Sequence, residues 1–415
     1  MKKRILLVTN GFPFGESERS FLGEEVRQMA DIFELYILAP DNGAKLLYPT
    51  DGIRQIERYK FTSFRETKSL RALPHVFNWS SISEVLRFAH RQHFKNVLQN
   101  GKEIILYRYH VWEAEQRLSQ LVEKANIDII YTYWCTECTL AALYVKRRFP
   151  KVKVVTRFHG YDLYEERAKL GMQLFRKTIA LRADGLCFPS EIGRNYFLEH
   201  WGKKFADKAH TCYLGSKKQL PSEKKDPNIL KLVSCSNVIP LKRIELIIDA
   251  LALLPGSVNV EWNHFGDGSE LRALEKRAKE KIPAGGNVSW CFRGYVQNEN
   301  LASYYREIGA ELFITTSSTE GLPVSIMEAF SMGIPAIGTA VGGIPELVIE
   351  GKTGYLLPEN VQPDGVAEAI LKYWNLAKAQ RQEMSDAAFA LWQDKFDAEK
   401  NARCFVMYLT DLLSS

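Results

Sequence analysis

The stretch from Leu312 to Val348, LFITTSSTEGLPVSIMEAFSMGIPAIGTAVGGIPELV, limits what this chain can fold into more than any other. It repeats one grammar twice. A short apolar, β-branched run (Leu312 to Thr316, then Pro335 to Ala340) is followed by glycine and by a proline suited to a first helical position. Glu320-Gly321-Leu322-Pro323 opens the first helix, and Val341-Gly342-Gly343-Ile344-Pro345 opens the second. Strands joined through a helix run parallel, so both helix N-termini lie along one edge of the sheet. The unsatisfied N–H groups and positive dipole ends gathered there suit a phosphorylated ligand.

Two carboxylates sharpen this reading. Glu320 sits at the strand end, and Glu328 sits inside the helix among Ile326, Met327, Ala329 and Phe330. A carboxylate on an apolar segment needs a partner, and vicinal sugar hydroxyls supply one. By helix rise the two lie roughly 10 Å apart, enough to span from a donor sugar to a ribose. Taken alone, an E-x7-E pair is as well explained by a helix-start charge followed by a charge on a solvated face. The whole segment, however, resembles the signature of the retaining GT-B glycosyltransferases of family 4, whose E-x7-E motif is embedded in a sequence much like EGLPVSIMEAFSMGIPAIGTAVGGIPELV. The resemblance implies that Glu320 contacts the transferred sugar and Glu328 the ribose, with Gly321, Leu322, Pro323, Gly342 and Gly343 around the donor.

The 415 residues, 46% hydrophobic and 25% charged, suffice for two domains. No apolar run reaches the roughly 18 residues of a membrane span. The Met-Lys-Lys-Arg start passes directly into a short strand, not a signal-peptide core, so a cytoplasmic protein is expected. Seven scattered cysteines suggest reduced thiols. The one close pair, Cys135 and Cys138, lacks the further ligands a zinc site needs. The net charge of +6 is uneven: from Lys60 to Arg108 basic residues outnumber Glu66, Glu84 and Glu103. Such a bias suits an anionic membrane surface or is simply a solvated face. The amphipathic stretch Ser83 to Leu98 either lies in a membrane interface or covers the sheet. No nucleic-acid-binding module is recognisable, and nucleic acid is not an expected partner.

In chain order, strand Lys3 to Thr9, the turn-rich loop Asn10 to Ser17, helix Glu18 to Ala30 and strand Phe33 to Ala39 make a βαβ start without G-x-G-x-x-G. Strands Ile127 to Tyr133, Val152 to Arg157 and Ala183 to Phe188 alternate with helices Thr139 to Phe149, Glu165 to Leu181 and Ser190 to His200, the pattern of a parallel sheet. The second of these strands ends in Arg157-Phe158-His159-Gly160-Tyr161-Asp162, where such sheets bind ligands. Asp162 either orients an acceptor or caps the next helix. Gly215 to Asn228, GSKKQLPSEKKDPN, reads as a linker. Beyond strand Ile229 to Cys235, Lys242 and Arg243 precede helix Ile244 to Leu254 and are placed to neutralise a diphosphate. Strands Val258 to Phe265 and Val288 to Tyr295 end at Gly266 and at Gly294-Tyr295, where a flat ligand can approach the backbone. Helices Ala367 to Lys378, Gln382 to Trp392 and Ala398 to Leu413 close the chain.

The family resemblance extends these readings. It implies the GT-B fold, an α/β architecture of two doubly wound Rossmann-like domains facing one another across a cleft. Residues 1–216 would bind the acceptor, helix 397–415 would pack back on them, 217–228 would link, and 229–396 would bind the nucleotide-sugar. The HGYD-like element would bring His159 to the donor sugar and acceptor, with Gly15 and Glu16 lining the acceptor side. The loops at Gly266 and Gly294 would frame the base. The family pairs an arginine with a lysine five residues on; Lys242 matches, but Asn237 stands at the arginine position. Either Arg243 supplies that charge or helix N-termini do. The activity implied is transfer from a UDP- or GDP-sugar to a glycan or lipid-linked saccharide in bacterial polysaccharide biosynthesis, with Glu320, His159 and Lys242 as catalytic residues. No metal or other cofactor is expected, since no Asp-x-Asp signature occurs. Alternatives are a nucleotide-sugar epimerase, which needs no acceptor, and a non-catalytic sugar-nucleotide-binding subunit.

Overall fold

The structure, a computed structural model, describes residues 2–14, 18–61, 82–84, 86–87, 97–222 and 228–414. The chain divides into two compact units, Met1–Cys212 with Ala402–Ser415, and Tyr213–Asn401.

The first unit is built on seven parallel strands: β1 (Arg4–Val8), β2 (Glu34–Pro40), β3 (Ile53–Tyr59), β4 (Ile129–Thr132), β5 (Lys153–Arg157), β6 (Gly185–Phe188) and β7 (Ala209–Thr211), in the order β3-β2-β1-β4-β5-β6-β7. The central strands are almost wholly apolar because both faces are covered. Alternate residues serve opposite faces. Leu6, Leu38, Ile130, Val154 and Leu186 pack with residues of helices Val97–Ala125 and Glu137–Arg148. Ile5, Leu7, Ile37, Ile129 and Val155 pack with Leu22 and Val26 of helix Arg19–Ile32 and with Phe405 and Leu409 of the final helix, Ala398–Ser414.

The second unit repeats the plan with β8 (Leu230–Cys235), β9 (Val260–Phe265), β10 (Val288–Phe292), β11 (Leu312–Thr315), β12 (Ala336–Thr339) and β13 (Gly354–Leu357), ordered β10-β9-β8-β11-β12-β13. Leu232, Trp262, Leu312 and Ile314 pack with Ile247 and Leu251 of helix Ile244–Ala252 and with Ile370 and Tyr373 of helix Pro363–Trp374. In each sheet the strand order reverses once, at β1/β4 and at β8/β11, and a crevice opens outside the carboxyl ends at such a point.

Several expectations change. The helix expected over 165–181 is a single turn at Glu165–Arg167 followed by helix Arg176–Arg182. Left-handed backbone at Gly171 and Phe175 interrupts it, and the buried Arg176 guanidinium turns back on the Asp162 carbonyl at 3.0 and 2.6 Å. Ser216, expected to end the first domain, belongs to the second unit. Its N–H donates to the Phe396 carbonyl (3.0 Å), its own carbonyl accepts from Ala398 N–H (3.1 Å), and its hydroxyl accepts from Trp392 Nε1 (2.9 Å). The other crossing falls inside the last helix, at Asn401/Ala402, and not at its start near residue 397. Strand β10 stops at Phe292, three residues short of Tyr295. Most of the stretch Ser83 to Leu98 lies outside the described residues. Among the described residues no helix is long and apolar enough to cross a membrane.

One buried ion pair ties the first unit together. Arg157, at the end of β5, pairs with Glu25 of helix Arg19–Ile32 at 2.7 Å, the side chains 1% and 7% exposed. Its guanidinium lies 4.5 Å from the Phe405 ring of the last helix. Removing one partner strands a buried charge, so Glu25→Ala is expected to cost about 3–5 kcal/mol, and the Glu25→Leu/Arg157→Met double variant to recover most of it. Denaturant titration measures both; a loss for Glu25→Ala below about 1 kcal/mol would mean that water screens the pair.

Candidate functional site

In the second unit the residues after β8 and after β11 meet across the point where the strand order reverses. Chain 236–243 ends in a tight turn at Pro240–Lys242, and Arg243 adopts a left-handed conformation (φ 46, ψ 42) that turns the chain into helix Ile244–Ala252. Such a conformation is uncommon away from glycine and needs support. Support comes from the facing loop: Arg243 Nε donates to the Thr316 carbonyl (2.7 Å) and Nη2 to that of Ser317 (3.2 Å). Thr316 Oγ1 donates in return to the carbonyls of Lys242 (3.1 Å) and Arg243 (2.9 Å), and Ser318 N–H to that of Leu241 (2.8 Å). The fork of Arg243 is therefore largely committed to backbone, which weakens its candidacy as the missing phosphate cation.

Lys242 is differently placed. Its Nζ lies 2.5 Å from Glu320 Oε1, which also accepts from Ser317 Oγ at 2.7 Å; the charged side chains are 22% and 14% exposed. Two of the expected catalytic residues, 78 positions apart, thus form one water-accessible pair. Asn237 is exposed at the head of the same loop.

The glycines of the motif shape this loop. A Cβ on Gly342 (φ +54) would stand 1.9 Å from the Glu320 carbonyl, and Gly343 N–H donates to the Gly321 carbonyl at 2.6 Å. The loop after β12 is thereby pressed against the one that carries Glu320. Gly266 plays the same part after β9: its N–H donates to the Gly294 carbonyl (2.9 Å), and a Cβ there would meet the Ser236 carbonyl at 1.8 Å. Tyr295 is exposed beyond it. Leu322 and Pro323 are buried, and Pro323 precedes helix Val324–Phe330 as its N-cap, one residue earlier than a first helical position.

Glu328, on that helix, has its carboxyl pushed up to about 7 by burial, against an opposing hydrogen bond with Asn298. A carboxyl with one protein partner in such surroundings has unused acceptor capacity, which marks it as a site candidate.

In the first unit the HGYD-like element follows β5. The Asp162 carboxylate is buried and accepts from His159 N–H (2.5 Å) and Cys135 N–H (2.7 Å). Burial raises it to about 6, with Arg176 and these donors pulling the other way. Asp162 therefore clamps two loops together, and of the two readings the structure shows the cap. His159 Nε2 lies 3.0 Å from the Tyr133 carbonyl, which only accepts, so Nε2 carries the proton. Burial first, then the neighbouring charge of Arg157, hold its pKa down at about 3, so the ring is neutral at physiological pH. Gly15 and Glu16 lie outside the described residues. Glu18, not anticipated as a site residue, is 2% exposed and accepts from Asn10 N–H (3.0 Å), Phe12 N–H (2.5 Å) and Trp134 Nε1. Its place at a helix start was readable; its partner, 116 residues away, was not.

Residues 216–390 match the family described as glycosyl transferases group 1. That segment is a group 1 glycosyl transferase domain. Over 321 residues the chain is 23% identical to N-acetyl-alpha-D-glucosaminyl L-malate synthase of Bacillus anthracis, covering 74% of this chain and 81% of that one. Sucrose-phosphate synthase of Thermosynechococcus elongatus superposes with a TM-score of 0.70 at 17% identity over 100% of both chains. Anabaena Alr3699/HepE in complex with UDP does so with a TM-score of 0.67 at 16% identity, over 99% of this chain and 100% of that one. The fold is GT-B, and the Lys242–Glu320 pair lies within the group 1 domain.

The raised carboxyl of Glu328 has a measurable consequence. Unfolded, it ionises near its ordinary 4.5; folded, near 7. The folded state thus holds the proton more tightly, and stability falls as pH rises through this window. Glu328→Gln, which cannot ionise, is expected to gain about 2 kcal/mol on wild type between pH 5 and pH 8. Urea midpoints at the two pH values measure this, and a difference that does not change with pH would contradict it.

Proposed function

We propose that this chain is a retaining glycosyltransferase of family 4 that moves a sugar from a UDP- or GDP-sugar to a glycan or lipid-linked saccharide acceptor in polysaccharide biosynthesis. The observation that carries the reading is the Lys242–Glu320 pair, 2.5 Å apart where the loops after β8 and β11 meet in the group 1 domain. The name of the Bacillus anthracis relative supports a glycosyl product, and the UDP bound by HepE supports a nucleotide-sugar donor.

Transfer breaks the bond between the sugar's anomeric carbon and a diphosphate oxygen, so negative charge develops on the leaving group. Lys242 is the cation that meets it, aided by helix N-termini, and this reading needs no metal. Glu320, oriented by Ser317 and Lys242, accepts hydrogen bonds from the sugar hydroxyls. Glu328 accepts from the ribose, and those donors favour its ionised form. Retaining hydrolases use a second close carboxylate as nucleophile. Here Glu320 is a holder, already engaged by a lysine and a serine, and the acceptor hydroxyl attacks from the face the diphosphate leaves, giving its proton to the departing phosphate. His159, neutral and bonded to backbone through Nε2, does not act as a proton donor. We place the reaction in the cytoplasm, at the inner face of the membrane when the acceptor is lipid-linked.

Lys242→Ala and Glu320→Gln are expected to lower kcat about 10²- to 10³-fold. Glu328→Ala is expected to abolish the thermal stabilisation that UDP or GDP gives the wild-type protein. Chelator should leave the rate unchanged, and NMR of the first product should show the donor's anomeric configuration. A wild-type protein that no nucleotide or nucleotide-sugar stabilises at millimolar concentration would overturn the reading.

A further inference from the structure

In the first unit, Trp134 and Tyr161 stand face to face in the segments that follow β4 and β5. Their rings are stacked at 4.9 Å with 28° between planes, and the His159 ring backs Trp134 at 4.1 Å. Tyr161 is 46% exposed, although its hydroxyl is held by Asn10 Nδ2 at 2.8 Å. The Trp134 indole N–H is spent on the buried Glu18 carboxylate, which also receives the N–H groups of Asn10 and Phe12. An exposed tyrosine ring would ordinarily be left to solvent and rotamer exchange, whereas Trp134 behind it is half-buried. Here polar bonds from the loop after β1 fix both rings, at the point where this sheet's strand order reverses and ligands bind.

We propose that the outer face of Tyr161 is a shelf on which a neutral pyranose ring of the acceptor stacks, with Trp134 stacked behind it and Glu18 and Asn10 as positioning residues. This rests on the transferase reading. The faces of aromatic rings carry negative quadrupole charge and attract the polarised C–H groups of a sugar's flat face. Three acidic groups, Asp162, Glu137 and Glu18, act on Tyr161 against one cation, Arg176. The nearby cations are turned away, Arg157 onto Glu25 and Arg176 onto the Asp162 carbonyl. A uronic acid ring would therefore be repelled where a neutral ring is not.

Saturation-transfer NMR on the full chain with UDP present, using methyl glucoside, galactoside, N-acetylglucosaminide and glucuronide, tests this. At least one neutral glycoside should receive saturation on its ring C–H protons, and the glucuronide should bind more weakly. Trp134→Ala and Tyr161→Ala should each weaken the neutral glycoside about tenfold or more, and Tyr161→Phe, which keeps the ring, by less than about threefold. All three variants should keep the thermal shift given by UDP, which reports the second unit. The shelf is overturned if no neutral glycoside is saturated, if the alanine variants bind as wild type does, or if glucuronide binds equally well. A wild-type protein without a UDP shift would overturn the transferase reading instead.

Discussion

Parallel pairing is the constraint from which the rest of this molecule follows. When every strand of a sheet runs the same way, every loop that leaves a carboxyl end emerges on one edge, and helix N-termini gather there with their unpaired N–H groups. A reversal in strand order then parts two neighbouring loops and leaves room for a ligand. Both units obey this rule, reversing at β1/β4 and at β8/β11. Polar groups from separate loops meet at these two places: Asn10, Glu18 and Trp134 in one unit, Lys242, Ser317 and Glu320 in the other.

The charged pairs divide into two physical kinds. Arg157 and Glu25 are buried beneath the first sheet's edge, where breaking either would leave an uncompensated charge in a poorly polarisable interior. They hold structure, and the field of Arg157 keeps His159 neutral as a secondary effect. Lys242 and Glu320 keep enough contact with water for either partner to be exchanged for a ligand group at modest cost. That difference in desolvation favours the second pair, and not the first, for the proposed diphosphate and sugar contacts.

Glycines and backbone-directed side chains give the donor loops their stiffness. Gly342 and Gly266 allow backbone to touch backbone where any Cβ would collide, and Arg243 spends its guanidinium on two carbonyls to hold its own left-handed turn. A loop fixed in this way keeps Lys242 and Glu320 in place before a ligand arrives, which lowers the ordering cost of binding.

The sequence by itself determined the alternation of apolar strands and amphipathic helices, hence two parallel sheets; it marked Glu320 and Glu328 by one contiguous motif and Lys242 by its place between a strand and a helix. Short or half-polar strands escaped it: β7 has three residues, and β3, IRQIERY, lies at a sheet edge with little apolar pattern. Only the tertiary structure decided which polar groups meet. Glu18 and Trp134 are 116 residues apart, Lys242 and Glu320 are 78, and Cys135 and Asp162 are 27. The same packing made Asp162 a clamp between two loops and committed Arg243 to backbone. The physical reason is that periodicity encodes which face of an element is buried, whereas a polar side chain's partner is set by how separate elements pack, and no local pattern carries that information.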